Sequence, residues 1–232
     1  MGVTRRRCVA AACGVLACVM MLAACGGQTE DTAVPDGTGE RLASSFTAYA
    51  EQLLERDGDV LAPAQYEVLE QAARTGEISA ADYAAAWSDF SSCVVDSGYP
   101  RPDYYMLENG LYQGGSITAP PEYNGDIAYG ERLLEASSVC KTAHLIAIQE
   151  FYQAQAGNPN LYADRSEGAV DCLRRAELVP QSYTIAQYRE ERDLWNHNAP
   201  APDMILDLNS AEVRGCLAAN DTDFTFPWGS ED

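Results

Sequence analysis

Four cysteines beyond residue 25 place the strongest constraint on how this chain can fold. The chain has 232 residues and eight cysteines, of which four lie within the first 25 residues; the others are far apart, at Cys93, Cys140, Cys172 and Cys216. An even set of separated cysteines is typical of two disulfides in a protein outside the cytosol. A zinc site would need closely spaced pairs such as C-x-x-C, and the sequence has none. Of the three pairings that four cysteines allow, we favour Cys93 with Cys140 and Cys172 with Cys216, because each would link neighbouring predicted helices across a moderate loop.

The first 25 residues have the organisation of a bacterial export signal. Three positive residues, Arg5, Arg6 and Arg7, precede an apolar stretch over residues 8–24, whose length is at the lower limit for spanning a bilayer. The stretch ends in the residues Leu22-Ala23-Ala24-Cys25, which resemble the lipobox of bacterial lipoproteins. An uncleaved membrane anchor and an ordinary secretory signal are the alternatives.

The lipobox resemblance has direct consequences for the mature protein. It implies that residues 1–24 are a signal peptide, that diacylglycerol is attached to the sulfur of Cys25, and that the chain is cleaved before this residue. Two acyl chains such as palmitate at this one residue would then anchor the protein stably to the cell membrane, on its extracytoplasmic face.

The mature chain would be strongly acidic. Residues 1–24 hold three arginines and no acidic residue, so their removal changes the net charge from −20 to −23. Nucleic-acid binding needs Lys and Arg to neutralise phosphates, so we expect no nucleic-acid partner. Lys141 is the only lysine, and no Gly-rich loop precedes it, which argues against a phosphate-binding loop. The sequence predicts no cofactor and no metal site.

Composition divides the mature chain into a tether and a folded domain. Residues 26–39 have almost no apolar side chains, so residues 25–39 are predicted to be the lipidated cysteine and a flexible tether. Residues 40–232 have helical periodicity and a length suited to one domain. The predicted fold class is therefore mainly α: a single extracytoplasmic domain of about six to seven helices with one small β-hairpin and two disulfides.

Start and stop signals place the predicted helices. An apolar stripe predicts the first helix, from about Glu40 to Gly58; it consists of Leu42, Phe46, Tyr49 and Leu53. The second begins at Pro63 and ends near Gly76. The strongest begins after Ser79 and carries a second stripe: Tyr83, Trp87, Phe90 and Val94.

Weaker signals place the remaining elements. Asn109-Gly110, between two short apolar runs, predicts a two-residue hairpin turn within residues 104–113. One long helix is expected over about 126–155 and another over 165–178. Capping patterns at Thr184 with Gln187, and at Ser210, predict the last two helices.

Several short motifs give the chain a family resemblance. They are the lipobox, GEISAADY running into W-x-x-F-x-x-C-x-x-x-x-G, and the single cysteines in CLRRAEL and NSAEVRGCL. With these motifs the chain resembles uncharacterised secreted lipoproteins of high-GC Gram-positive bacteria, over residues 77–219. The motifs describe packing and disulfides, so the resemblance implies no activity and no catalytic residue.

Histidine is scarce, which limits catalytic schemes. His144 and His197 are the only histidines. A functional interpretation makes His144 a base or ligand beside Glu150, and the structural alternative makes it a partly buried polar residue near a disulfide. The G-x-S-x-G and H-E-x-x-H motifs are both missing from the sequence. We therefore expect a non-enzymatic protein, and an envelope hydrolase with an unrecognised active site is the alternative.

The predicted hairpin carries the candidate binding surface. Tyr104, Tyr105 and Tyr112 put aromatic side chains on both of its faces, and only one face can pack on the helices. The other could recognise a peptide, a glycan or a protein; a hairpin covered on both faces is the alternative. The resulting hypothesis is a binding or accessory protein of the cell envelope, with an envelope protein such as a transporter as its partner.

Overall fold

The chain forms a helical assembly with one small hairpin. The computed structural model describes residues 37–196 and 203–220; the predicted signal peptide, Cys25 and His197 lie outside this part. Within it there are eight α-helices and two strands, which confirms the mainly α fold class: α1 (Phe46–Asp57), α2 (Pro63–Thr75), α3 (Ala80–Asp96), β1 (Asp103–Met106), β2 (Tyr112–Ser116), α4 (Ile127–His144), α5 (Ile146–Gly157), α6 (Arg165–Arg175), α7 (Ile185–Asn196) and α8 (Ala211–Asn220).

The helix ends follow the signals in the sequence. Pro63 is the first residue of α2, and Gly76 ends it with a positive φ of 76° that suits glycine. The Ser79 hydroxyl accepts a hydrogen bond from the Asp82 N–H at 3.1 Å. Before α7, the Thr184 N–H donates to the Gln187 side chain at 2.8 Å, and the Gln187 N–H donates to the Thr184 hydroxyl at 3.1 Å. These reciprocal bonds are the predicted capping box.

Two helix boundaries differ from the prediction, and the described part has eight helices rather than six or seven. The helix expected over 126–155 is two helices, because Leu145 leaves helical geometry with φ −132° and ψ −48°. Its side chain is buried, and the Ala143 carbonyl accepts a bond from the Ala62 N–H at 2.9 Å. The sequence has no proline or glycine at this break, and its helical periodicity continues through it. The sequence therefore predicted one continuous helix. The first helix begins at Phe46 rather than near Glu40.

Residues 39–43 form an extended entry segment instead of the start of α1. The Leu42 N–H donates to the Leu161 carbonyl at 2.7 Å, and the Ala163 N–H donates to the Glu40 carbonyl at 2.8 Å. The Gly39 N–H lies 3.1 and 3.2 Å from the two carboxylate oxygens of Glu167. Gly39 was predicted to belong to the flexible tether, yet it is already hydrogen-bonded to the domain.

Helix α5 lies at the centre of the fold. It contacts α1, α2, α3, α4, α6 and α8. Ile148 and Phe151 on this helix are fully buried, as expected for an element covered on several sides.

The hairpin packs on α3. The strands are antiparallel, and Tyr104 and Tyr112 lie with their ring centroids 4.9 and 5.7 Å from that of Trp87. The predicted two-residue turn is wrong in length: the backbones of Leu107 and Leu111 pair at 2.8 Å, which leaves three residues between them. The Asn109 amide donates to the Gly215 carbonyl at 3.0 Å, so α8 helps to set the geometry of this turn.

Both disulfides have the pairing favoured from the sequence. Cys93–Cys140 joins α3 to α4, and Cys172–Cys216 joins α6 to α8. The Cα atoms are 5.6 and 5.7 Å apart, within the usual range for this crosslink. The two crosslinks fasten α4 and α8 to earlier parts of the chain.

Candidate functional site

The three candidate tyrosines of the hairpin are not equivalent. Tyr104 and Tyr112 are half-buried, and their ring centroids are 5.5 Å apart in an edge-on arrangement against Trp87. Tyr105 is 44 % exposed, and the adjacent Met106 is 62 % exposed. The structure therefore leaves Tyr105 as the exposed member of the proposed surface and makes Tyr104 and Tyr112 part of the packing between the hairpin and α3.

A concave feature lies elsewhere, between α1 and α5. This α1–α5 cleft has a volume of about 320 Å³, at the lower end of the range for small-molecule sites. Its other walls are the loop before α6 and the end of α8. The lining residues are Leu42, Tyr49, Gln52, Leu53, Arg56, Glu150, Gln153, Ala154, Asn158, Tyr162, Ala163, Arg165, Ala219 and Asn220.

The loop wall of the cleft is held by the entry segment and by one asparagine. Leu42 of the entry segment lines the cleft, and Arg41 forms a β-bridge with Tyr162. The buried Asn158 side chain donates to the Tyr162 carbonyl and accepts from the Tyr162 N–H, both at 2.9 Å. These two hydrogen bonds fix the loop, so the wall is formed before any ligand binds.

The charged groups at the mouth of the cleft are paired. The Arg56 guanidinium donates to both carboxylate oxygens of Asp57, at 2.9 and 2.6 Å, and to Glu150 Oε2 at 2.9 Å. Hydrogen bonding to these two carboxylates raises the pKa of Arg56 above its ordinary value. One carboxylate oxygen of Glu150 thus accepts a hydrogen bond from Arg56, and no described residue donates to the other oxygen.

Two nearly buried side chains in the cleft have polar atoms without a protein partner. Tyr49 is 7 % exposed and Gln153 is 4 % exposed. The Gln153 amide nitrogen donates to the Ala218 carbonyl at 3.0 Å, but within residues 37–196 and 203–220 no group bonds its Oε1 or the Tyr49 hydroxyl. Burial and the nearby Glu150 charge raise the pKa of Tyr49 to about 12. The hydroxyl therefore keeps its proton at neutral pH and can donate to a ligand.

His144 and Glu150 do not form a hydrogen-bonded pair in the described structure. Glu150 faces Arg56, and His144 is not among the residues that line the cleft. Its Nδ1 is buried with no hydrogen-bond partner in the described part of the chain. The acid–base pair considered from the sequence is not assembled by this fold.

The cleft was not predicted from the sequence, although one of its residues stood out. Tyr49 belongs to the apolar stripe that predicted the first helix, where a tyrosine is easily interpreted as an ordinary residue of the hydrophobic core. Arg56 and Glu150 are 94 residues apart, so no local pattern links them. The central helix α5 contains one glutamate and three glutamines, so Glu150 and Gln153 did not stand out in the sequence.

Comparisons with known proteins assign this chain to no family. A scan of protein-family models, a search of curated proteins and a search of solved structures each found no match. No helix in residues 37–196 and 203–220 is long and apolar enough to cross a membrane. The same residues contain no group of three or more His, Cys, Asp and Glu side chains that could hold a metal ion.

Proposed function

We propose that this protein is a lipid-anchored, extracytoplasmic binding protein of the cell envelope and that the α1–α5 cleft holds its ligand. The observation that carries the proposal is the pair of nearly buried side chains, Tyr49 and Gln153, with unbonded polar atoms in a preformed concave site. Neither atom belongs to the fully buried unbonded atoms of the described residues, so both reach the open space of the cleft. A ligand there can take the place of water as their hydrogen-bond partner.

The composition of the cleft favours binding over catalysis. Glu150 is its one carboxylate among the described lining residues, and it is already paired with Arg56. The lining residues that the structure describes include no Ser, Thr, Cys, His or Lys. Hydrolytic sites generally combine a nucleophile or activated water with a separate acid–base group, and these residues offer no such pair.

The proposed location is supported by the lipobox-like Cys25 and by the two disulfides, which are typical of an oxidising compartment. The cleft adjoins the entry segment, where the chain from the predicted tether joins the domain. An envelope protein such as a transporter is the partner class that we propose, because it would receive the ligand from an anchored carrier.

The binding function is tested by closing the cleft. Ala163 is an exposed lining residue, so Ala163→Trp should fill the mouth of the cleft without disturbing the core. After equilibrium dialysis against a small-molecule extract of the growth medium and cells, mass spectrometry should show ligand enriched by the wild-type protein and not by this variant. Ala128→Trp, on the exposed surface of α4, is the matched control and should retain the ligand. Equal enrichment by all three proteins would place binding outside the cleft, and enrichment by none would reject the function.

The anchor is tested at Cys25. Cys25→Ser removes the sulfur that would carry the lipid, so we expect the protein to move from the membrane fraction to the medium or the soluble envelope fraction. Cys18→Ser, within the predicted signal peptide, is the matched control and should stay in the membrane fraction. Immunoblots of fractionated cells and metabolic labelling with a fatty acid give the readout. A Cys25→Ser protein that still incorporated fatty acid and stayed in the membrane would contradict the assignment.

A further inference from the structure

The hydrogen-bonding atoms left over in the α1–α5 cleft define the chemistry of its ligand. Arg56 uses Nε and Nη2 on Asp57 and Glu150, and within the described residues its Nη1 bonds nothing. Glu150 Oε1 is likewise unused. An Arg donor and a Glu acceptor are therefore held side by side by their own ion pair, with about half of the Arg56 side chain exposed.

This arrangement disfavours a charged ligand. An anion bonded to Arg56 Nη1 would lie beside the carboxylates of Asp57 and Glu150, and an ammonium group bonded to Glu150 Oε1 would lie beside the Arg56 guanidinium. Either ligand would be placed next to a group of its own charge, which is unfavourable in a partly buried site. The other guanidinium of the lining, on Arg165, has an interaction of its own. The strongly acidic chain also repels anions over longer distances.

Neighbouring hydroxyl groups fit without such a cost. One hydroxyl can accept from Arg56 Nη1 while the next donates to Glu150 Oε1, and the ion pair stays intact. The Tyr49 hydroxyl and Gln153 Oε1 add a further donor and a further acceptor deeper in the cleft. Each hydroxyl can both donate and accept, so a compact polyol satisfies both kinds of protein atom.

We propose that the α1–α5 cleft binds a neutral monosaccharide, with two adjacent ring hydroxyls on the Arg56–Glu150 pair and a third on Tyr49. The cleft volume of about 320 Å³ suits a ligand of this size. This inference rests on the proposed binding function and names the ligand class for the same site.

The test uses the full-length lipidated protein in lauryldimethylamine oxide, a detergent that carries no sugar group. Saturation-transfer difference NMR is recorded with D-glucose, D-galactose, D-mannose and N-acetyl-D-glucosamine, each at about 5 mM, a concentration that reveals weak binding. Glycine and lysine are the charged comparison probes. We expect transfer to at least one sugar and none to the amino acids.

Tyr49→Phe is the decisive variant because it removes a hydroxyl that no described residue bonds. We expect about tenfold weaker sugar affinity, the loss of one hydrogen bond, with no fall in the thermal unfolding midpoint. Tyr66→Phe, on an exposed α2 tyrosine outside the cleft, should leave affinity unchanged.

The outcomes separate the ligand class from the binding function. No transfer to any of the four sugars, or equal sugar affinity in wild type and Tyr49→Phe, overturns the monosaccharide assignment. If the dialysis experiment still shows a ligand that Ala163→Trp excludes, the binding function stands and only the ligand class falls. Transfer to glycine or lysine that Ala163→Trp abolishes also overturns the assignment, in favour of a zwitterionic ligand.

Discussion

Replacing Cys172 and Cys216 by alanine is expected to lower the free energy of unfolding by about 4 kcal/mol, given their sequence separation of 44 residues. The crosslink restricts the unfolded chain by closing a long loop, and alanine removes this restriction while leaving no buried hydroxyl. Both cysteines are buried in the native state, so lost packing adds to the effect. Urea unfolding of the double variant and the wild type gives the difference.

Reductant provides the matched control for this disulfide. The Cys93→Ala/Cys140→Ala variant retains Cys172–Cys216, so adding dithiothreitol to it should cause a further loss of about the same 4 kcal/mol. A loss below about 1 kcal/mol in both experiments would contradict the role assigned to the crosslink, since this is less than most removed disulfides cost.

Substitutions of the hairpin tyrosines should differ strongly in their effect on the free energy of unfolding, according to how far each ring is buried. We expect Tyr112→Ser to lower the free energy of unfolding by about 3 kcal/mol, the lower end for losing a packed aromatic ring. The ring lies against Tyr83, Trp87 and Tyr104. Tyr104→Ser should cost about 2 kcal/mol because it loses fewer of these contacts. Thermal or urea unfolding measures both.

Tyr105→Ser is the matched control because this tyrosine belongs to the same strand as Tyr104 but is exposed. Its expected effect on stability is within about 0.5 kcal/mol, as for most surface substitutions. If Tyr112→Ser were equally mild, the hairpin would not be packed on α3, and the three-tyrosine binding surface proposed from the sequence would regain support. If the predicted split is found, any recognition by the hairpin depends on Tyr105 and its neighbours.

Local signals in the sequence predicted much of the fold because helix termini depend on nearby residues. The Ser210 hydroxyl caps α8 by accepting from the Val213 N–H at 3.2 Å, as the pattern indicated. The stripe from Tyr83 to Val94 is buried throughout. The cysteine pairing followed from helix positions, so it required no knowledge of the core.

Tertiary contacts explain what the sequence missed. The break at Leu145 depends on a bond between Ala62 and the Ala143 carbonyl, and the turn at Asn109 depends on α8. Both partners are distant in the chain. The α1–α5 cleft is the extreme case, because its lining comes from five segments: the entry segment, α1, α5, the loop before α6, and α8. Its key feature is which polar atoms remain unbonded after folding.

In a lipid-anchored protein, the entry segment also decides where mechanical load arrives. A pull on the anchor reaches the domain at Gly39 and passes to the paired backbones of Glu40 with Ala163 and Leu42 with Leu161. These bonds lie at the edge of the cleft and not in the central helix. With the anchor at Cys25 that we propose, drag would therefore act first on the wall of the α1–α5 cleft and, through Glu167, on the disulfide-linked helix α6.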